Sequence, residues 1–331
     1  MVFVVTGTNG FIGSRLATTL LTHEAGQHAE VRALVRSPDA GAPPGITPYV
    51  VDYRRPESIA ASGALEGAGY LIHLAGVTKA LSLDSFREGN VEPVASLLKA
   101  IKSVAPPLKR FVLVSSQAAA GPAPGPGRPR SESDPAEPFD VYGISKLEAE
   151  QLLSDQAGAS PFTIVRPSAV YGPRDVDFLK LFKQLRLGAG LYPANRNNRL
   201  ATIFVDDLVS GLIQATYSEA ARDQVFFMTN EEDIGWPEVY RAMARALEAP
   251  MRFEWEIPAP IVRATGLLGD AVSRLTGQVS VVNSQKVALG MAPYWTCSAE
   301  KARRLIGFSP ATPLEAGMAA TLAWYRQQGW L

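Results

Sequence analysis

The sequence predicts an α/β protein with a doubly wound parallel sheet and a smaller, mostly C-terminal α/β part. Two observations carry that expectation. Short, nearly continuous apolar runs alternate with helical patterns through the first half, as they do in a parallel sheet covered on both faces. Between the first such run and the first helical pattern, Gly7, Gly10 and Gly13 form a G-x-x-G-x-x-G turn. The 331 residues are enough for one large domain or two modest ones with a real core.

Each element follows from its own residues. The strand runs are "VFVVT" (2–6), "EVRALV" (30–35), "TPYVV" (47–51), "YLIHLA" (70–75), "RFVLVS" (110–115), "FTIVR" (162–166) and "QVFFMT" (224–229). Helical patterns fall near 11–24, 56–66, 84–104 and 142–157. One segment breaks the rhythm: "GPAPGPGRPRSESDPAEP" (121–138) is too rich in Pro, Gly and Ser for a regular element. It reads as a flexible surface loop over the carboxyl end of the sheet, either a lid or a passive connection. After Pro167 the pattern loosens into helical pieces, and "LEAGMAATLAWYRQQGWL" (314–331) reads as a closing amphipathic helix.

Composition excludes several classes. Lys plus Arg equals Asp plus Glu at 32 each, which gives no overall electrostatic footprint for nucleic acid or an anionic membrane and leaves open only a local basic patch. Cys297 is the single cysteine, so no internal disulfide or cysteine-based zinc site can form. His23, His28 and His73 lack metal-ligand spacing, and no metal site is expected. The opening "MVFVVTG" reads as a strand and not as a leader. The longest apolar stretch, 259–275, is interrupted by Arg263, Asp270 and Arg274, so no membrane span is expected and the chain is expected to be cytoplasmic.

The glycine turn has the context of a dinucleotide site, with an apolar strand before it and a helix after it. Glycines let the backbone approach a pyrophosphate, and the helix N-terminus offers free N–H groups. Residues Gly7, Thr8, Asn9, Gly10, Phe11, Ile12 and Gly13 make up that turn. At the end of the second strand, where an acid would hold the adenosine ribose of NAD, the chain has Val35 and Arg36. An arginine there pairs with a 2′-phosphate, so NADP(H) is favoured over NAD(H).

Further on, "HLAG" (73–76), "SSQAAAGP" (115–122), "YGISK" (142–146) and "RPSAVYGP" (166–173) follow in order. Together with the glycine turn they resemble the extended short-chain dehydrogenase/reductase family over about the first 210 residues. That resemblance implies a Rossmann domain at 1–170 plus about 202–230. It implies a substrate domain at about 171–201 plus 231–331. It also implies hydride transfer at a carbinol, with homodimers frequent in the family. Tyr142 and Lys146 stand four residues apart, on one helical face. An ammonium beside a phenol stabilises the phenolate and draws its pKa toward working pH. By resemblance Tyr142 is the acid/base, and Lys146 tunes it and binds the nicotinamide ribose. Ser116 orients the substrate oxygen, with Ser115 the neighbour that could be confused with it. Asn90 supports a water in the proton relay. The same resemblance places Asp52 and Tyr53 near the adenine, and Leu74, Ala75 and Gly76 along the cofactor path. Pro167 and Ser168 fall at the carboxamide. His73 reads as a packed strand-end residue.

The reaction is narrowed by departures from the family's patterns. Dehydratases carry an Asp–Glu pair where this chain has Gln117 and Ala118, so dehydration is disfavoured. Nucleotide-sugar epimerases show an Arg–Asp pair before "VDD", where this chain has Leu200 and Ala201; Arg196 and Arg199 are near enough to substitute. "SSQAAAGP" resembles 3β-hydroxysteroid dehydrogenases and "VRALVR" resembles dihydroflavonol-reductase-like enzymes. Ile257 to Leu268 would suit a hydrophobic substrate pocket or a plain domain core. The expected function is an NADP-preferring oxidoreductase interconverting a ketone and a secondary alcohol, with a small-molecule substrate and no nucleic-acid partner. A nucleotide-sugar epimerase with tightly held NAD and a non-catalytic dinucleotide sensor are the alternatives.

Overall fold

The first strand, β1 (Val2–Thr6), passes through the glycine turn into α1 (Phe11–Thr22). There follow β2 (Glu30–Val35), β3 (Thr47–Val50), α2 (Pro56–Ala61), β4 (Tyr70–His73), α3 (Leu83–Asn90), α4 (Glu92–Ile101), β5 (Arg110–Val114), α5 (Val141–Gln156) and β6 (Phe162–Pro167). The computed structural model describes residues 1–22, 29–103, 107–230, 233–277, 280 and 283–331. The expected end of the first helix at residue 24, residue 104 of the expected 84–104 helix, and His23 and His28 lie outside the described residues.

The helix expected over 84–104 is two helices, α3 and α4, parted at Val91. Pro93 lacks the N–H that would continue the ladder, and the chain restarts with Pro in the first turn of α4. The helix expected over 56–66 stops at Ala61, and Gly63 takes a left-handed φ of 74° just beyond.

The second half holds more structure than its loose pattern indicates. It runs β7 (Ala169–Tyr171), α6 (Asp177–Arg186), β8 (Ala189–Pro193), β9 (Arg199–Leu200), β10 (Thr202–Phe204), α7 (Val205–Tyr217), β11 (Gln224–Met228), β12 (Ile234–Gly235) and α8 (Trp236–Leu247). It ends with β13 (Phe253–Ile257), α9 (Ala259–Thr276), α10 (Ser284–Met291), β14 (Tyr294–Trp295), α11 (Glu300–Ile306) and α12 (Leu314–Gln327). Most of these strands are two to five residues long, too short for a period-2 signal.

Seven parallel strands form the main sheet in the order β11-β6-β5-β4-β1-β2-β3. Val5 faces Ala33 on one side and Ile72 on the other. The winding reverses between β1 and β4, which opens a crevice at their carboxyl ends. Alternation along each strand feeds a core on each face. Phe3 and Val5 join Leu16 and Leu20 of α1, while Val4 joins Leu97 of α4 and Leu153 of α5. The first core continues into the second half through Tyr171, Phe182, Met243 and Leu322. Small sheets complete the fold: β7 with β10, β9 between β12 and β14, and β8 with β13.

The 121–138 segment is irregular but not a free flap. Arg130 is buried and donates to the carbonyls of Pro122 and Pro135. The Glu132 carboxylate accepts the Phe227 N–H of edge strand β11 at 2.7 Å. Among the described residues no helix is long and apolar enough to cross a membrane.

Candidate active site

The glycine turn is shaped by contacts that admit no side chain. Gly7 has φ 74°, and a Cβ there would meet the Ala75 nitrogen at 2.8 Å. A Cβ on Gly13 would lie 2.1 Å from the Gly7 carbonyl oxygen. The Gly10 N–H donates to the Gly7 carbonyl at 3.0 Å, closing the turn. Thr8 beside it is fully buried, and its hydroxyl has no partner in the protein. A bare backbone cradle at a helix N-terminus, with an orphaned hydroxyl in it, fits a dinucleotide pyrophosphate.

One threonine ties this turn to the next strand. Thr6 Oγ1 accepts the N–H groups of Leu74 at 3.1 Å and Ala75 at 2.9 Å. Its single proton is therefore donated to His73 Nδ1 at 2.8 Å. His73 is consequently neutral, with its proton on Nε2. Burial, then the charge of Lys146, pulls its pKa down to about 3. This is a packed strand-end histidine, as expected, and not a base.

Asn90 sits at the end of α3 with its amide engaged by protein. Oδ1 accepts the Val77 N–H at 2.8 Å, and Nδ2 donates to the Val77 carbonyl at 3.1 Å and to Ser145 Oγ at 2.9 Å. Ser145 passes its own proton to the Tyr142 carbonyl at 2.7 Å. Both amide protons are spent, which leaves Asn90 one free lone pair toward any water. Its visible work is to lock the loop after β4 to α5. Gly76 is glycine for the same reason, since a Cβ would lie 2.7 Å from Asn90 Oδ1.

The ends of β5 and α5 bring the reactive groups together. Asp140 caps α5 by accepting the Gly143 N–H at 2.7 Å. A Cβ on Gly143 would strike the Ala118 carbonyl at 2.3 Å, so the helix start presses on the segment that Ser116 opens. Ser116 Oγ accepts the Ala118 N–H at 3.1 Å and is close enough to Tyr142 to act on its phenol. Ser115 instead donates to Glu150, in a buried contact. Ser115 is thereby engaged away from Tyr142.

Lys146 is buried and donates to the Val114 carbonyl at 2.8 Å. Burial draws its ammonium down to about 8, with Glu150 pulling the other way. The Tyr142 phenol is pushed up to about 12 by burial; the Ser116 hydrogen bond opposes this and Asp140 adds to it. The lowering expected from Lys146 is not among the effects on Tyr142. Desolvation dominates, because the same burial that positions the phenol disfavours the phenolate. A proton-donating phenol is the resting state.

The spacing also hid a third member. Glu150, one turn beyond Lys146, forms a buried bidentate pair with Arg166 of β6, at 3.0 Å from Nε and 2.6 Å from the terminal nitrogen. The series Tyr142, Lys146, Glu150 was visible as i, i+4, i+8 on one face. Also missed were Phe139 and Trp295, whose rings meet edge to face at 5.5 Å beside the Asp140 cap.

The remaining expected cofactor residues divide. Arg36 is exposed just past β2, close enough for its charge to act on Tyr53. Asp52 is half-buried and accepts the Arg54 N–H at 2.9 Å. Tyr53 is not turned to the crevice: its ring lies in the core, and its hydroxyl donates to the Leu34 carbonyl at 2.9 Å. Pro167 ends β6, and Ser168 beyond it is buried with an unpartnered hydroxyl. Gln117 is likewise buried with both amide atoms unpartnered. A cleft of about 550 Å³ flanks the glycine turn, bounded by Asn9, Phe11, Arg15, Pro43, Arg174 and Trp324; Ser116, Tyr142 and Lys146 do not line it. No group of three or more His, Cys, Asp or Glu side chains able to hold a metal occurs among the described residues.

Comparison with known proteins agrees with this geometry. The model of the NAD dependent epimerase/dehydratase family matches residues 3–226. A ceramide reductase of Caulobacter vibrioides is 28% identical over all of this chain and 96% of its own length. A UDP-glucose 4-epimerase of Vibrio cholerae is 28% identical over 88% of this chain and 90% of its own. Among solved structures, a UDP-glucose 4-epimerase of Thermotoga maritima with UDP-glucose superposes with a TM-score of 0.78 at 19% identity, covering 99% of both chains. The chain belongs to the NAD dependent epimerase/dehydratase family and is an NAD(P)-dependent enzyme of the extended short-chain dehydrogenase/reductase type.

Proposed function

We propose that this enzyme is an NADP-preferring oxidoreductase that interconverts a ketone and a secondary alcohol of moderate hydrophobicity. The observation that carries the choice of net redox over sugar-nucleotide epimerisation lies around β9. Leu200 and Ala201, in place of the epimerase Arg–Asp pair, are buried and apolar. The two nearby arginines are committed elsewhere: Arg199 to Asp233 at 3.0 Å, and Arg196 to Glu254 while its guanidinium lies over the Tyr192 ring. Among the described residues, neither of these two arginines is left without a carboxylate partner. Gln117 and Ala118 offer no carboxylate for eliminating water. The Caulobacter relative, by its name, reduces a lipid, which supports the same reading.

The bound nicotinamide supplies or accepts the hydride; the rest is the work of side chains. Ser116 Oγ and the Tyr142 hydroxyl hold the substrate oxygen, and Tyr142 gives its proton to the alkoxide that develops. Lys146 holds positive charge behind the phenol, and Glu150 with Arg166 fixes the helix that carries both. Arg36 would pair with the 2′-phosphate of NADP(H). We assign residues 1–170 and about 202–230 to cofactor binding, and the remainder to substrate binding.

The test begins with purified protein and nothing added. Nucleotide released on denaturation is identified and quantified by mass spectrometry. The expected result is little bound nucleotide, followed by tighter binding of NADPH than NADH. Arg36→Ala should raise the NADPH dissociation constant about 10- to 100-fold and leave NADH unchanged. A near-stoichiometric load of NAD would favour the epimerase reading and contradict the role given to Arg36.

A further inference from the structure

Helix α9 is built the wrong way round for a helix facing water. Its buried face is small, made of Val262, Gly266, Gly269 and Ser273. A Cβ at Gly266 would lie 3.1 Å from Ser284 Cα, so α10 packs close against it. Its large apolar side chains point outward. Ile261, Leu268, Val272 and Leu275 recur at helical spacing along one exposed stripe, with Leu267 at its border. Leu268 is 66% and Leu275 86% exposed. Of Ile257 to Leu268, only Val262 and Gly266 turn inward on α9, and the large side chains Ile261, Leu267 and Leu268 do not join the core.

The neighbourhood has the same character. Phe253 and Trp255 share one face of β13 and are exposed, and β13 runs through Pro258 straight into α9. Arg252, Arg263 and Arg274 are exposed around this surface. Unlike Arg196 and Arg199, they have no carboxylate partner among the described residues. A hollow of about 450 Å³ opens between α9 and α10, lined by Arg263, Leu267, Val287, Ala288 and Met291.

We propose that α9, with Phe253 and Trp255, docks the enzyme on the surface of an anionic bilayer, lying in the interface without crossing it. An apolar stripe bordered by arginines is the construction of an interfacial helix. Unpaired cations make the choice of occupant: an anionic headgroup layer brings their counter-charge, whereas a second copy would bring the same cations again. The chain's net charge is zero, so the attraction is local to this face. Docking would deliver an amphiphilic substrate to the hollow beside α10; that part rests on the proposed function, and the docking itself does not.

Flotation with vesicles tests this without any measurement of turnover. Vesicles of phosphatidylcholine alone are compared with phosphatidylcholine containing phosphatidylglycerol. The protein should float with the mixed vesicles and much less with the neutral ones. Leu268→Glu with Leu275→Glu should lower the bound fraction about tenfold or more with an unchanged melting temperature. Arg263→Glu with Arg274→Glu should remove the preference for the anionic lipid. Absence of flotation, or flotation indifferent to the leucine changes, overturns the proposal. Self-association in sedimentation that the leucine variant abolishes overturns it too, by giving the stripe to a second copy. Failure here leaves the redox reading standing, since the cofactor measurement tests that separately.

Discussion

Helices α5 and α9 both break the rule that a surface helix turns apolar residues inward and polar ones outward, and they break it in opposite senses. The first buries Lys146 and Glu150; the second exposes Leu267, Leu268 and Leu275. In α5 the buried charges are matched: Lys146 has the Val114 carbonyl, and Glu150 has Ser115 and Arg166. In α9, Leu268 and Leu275 stay largely exposed among the described residues. The contrast separates a violation completed inside the molecule from one that calls for something outside it.

The largest effect expected comes from breaking the chemistry on α5. Tyr142→Phe removes the proton donor and should lower turnover about 10²- to 10⁴-fold. Cofactor affinity should stay unchanged, as measured by titration. Turnover near the parent value would sink the acid role.

Next comes the clamp beneath it. Arg166→Met leaves the buried Glu150 carboxylate with the Ser115 hydroxyl and the Lys146 charge but no paired guanidinium, and should cost about 3–5 kcal/mol in chemical denaturation. Adding Glu150→Gln should recover much of that loss. A cost below about 1 kcal/mol would show the pair to be dispensable.

Lys146→Met should act on stability in the opposite direction. The ammonium's folded pKa is drawn down to about 8 from 10.5, so between those values the unfolded chain binds more protons than the folded one. The stability of the parent protein therefore rises with pH through that window, and the burial cost is fully present below it. The variant should gain on the order of 1–3 kcal/mol at pH 7. The gain should fade toward pH 10, while turnover is lost. A gain independent of pH would mean that packing, not charge burial, is responsible.

The smallest effect belongs to α9. Leu275→Glu should change folding stability by no more than about 0.5 kcal/mol, because its side chain is already in water. A loss of 2 kcal/mol or more in denaturation would place Leu275 against the fold and end the contrast.

The two helices were also unequally legible. For α5, the chemistry of residue types at fixed spacing was enough to find Tyr142 and Lys146, because a helix places i and i+4 together whatever surrounds it. Glu150 obeyed the same spacing but had no meaning until Arg166 arrived from β6. For α9, the apolar positions were plain, but periodicity reports that a stripe exists and not which side the fold covers. Tyr53 shows the same limit, since its place after β3 was read correctly while its ring turned into the core.

By itself, the sequence determined the seven parallel strands to within about two residues, the tight glycine turn and the place of Tyr142 and Lys146 on one helix. Each of these is encoded by contacts close in the chain: apolar runs, glycines beside a helix start, and neighbours one turn apart. Only the tertiary structure decided that Ser115 is engaged by Glu150, that burial raises the phenol's pKa, that Arg196 and Arg199 are already paired, and that α9 turns its leucines out. Those outcomes depend on desolvation and on partners tens of residues away, and neither has a local signature in the chain.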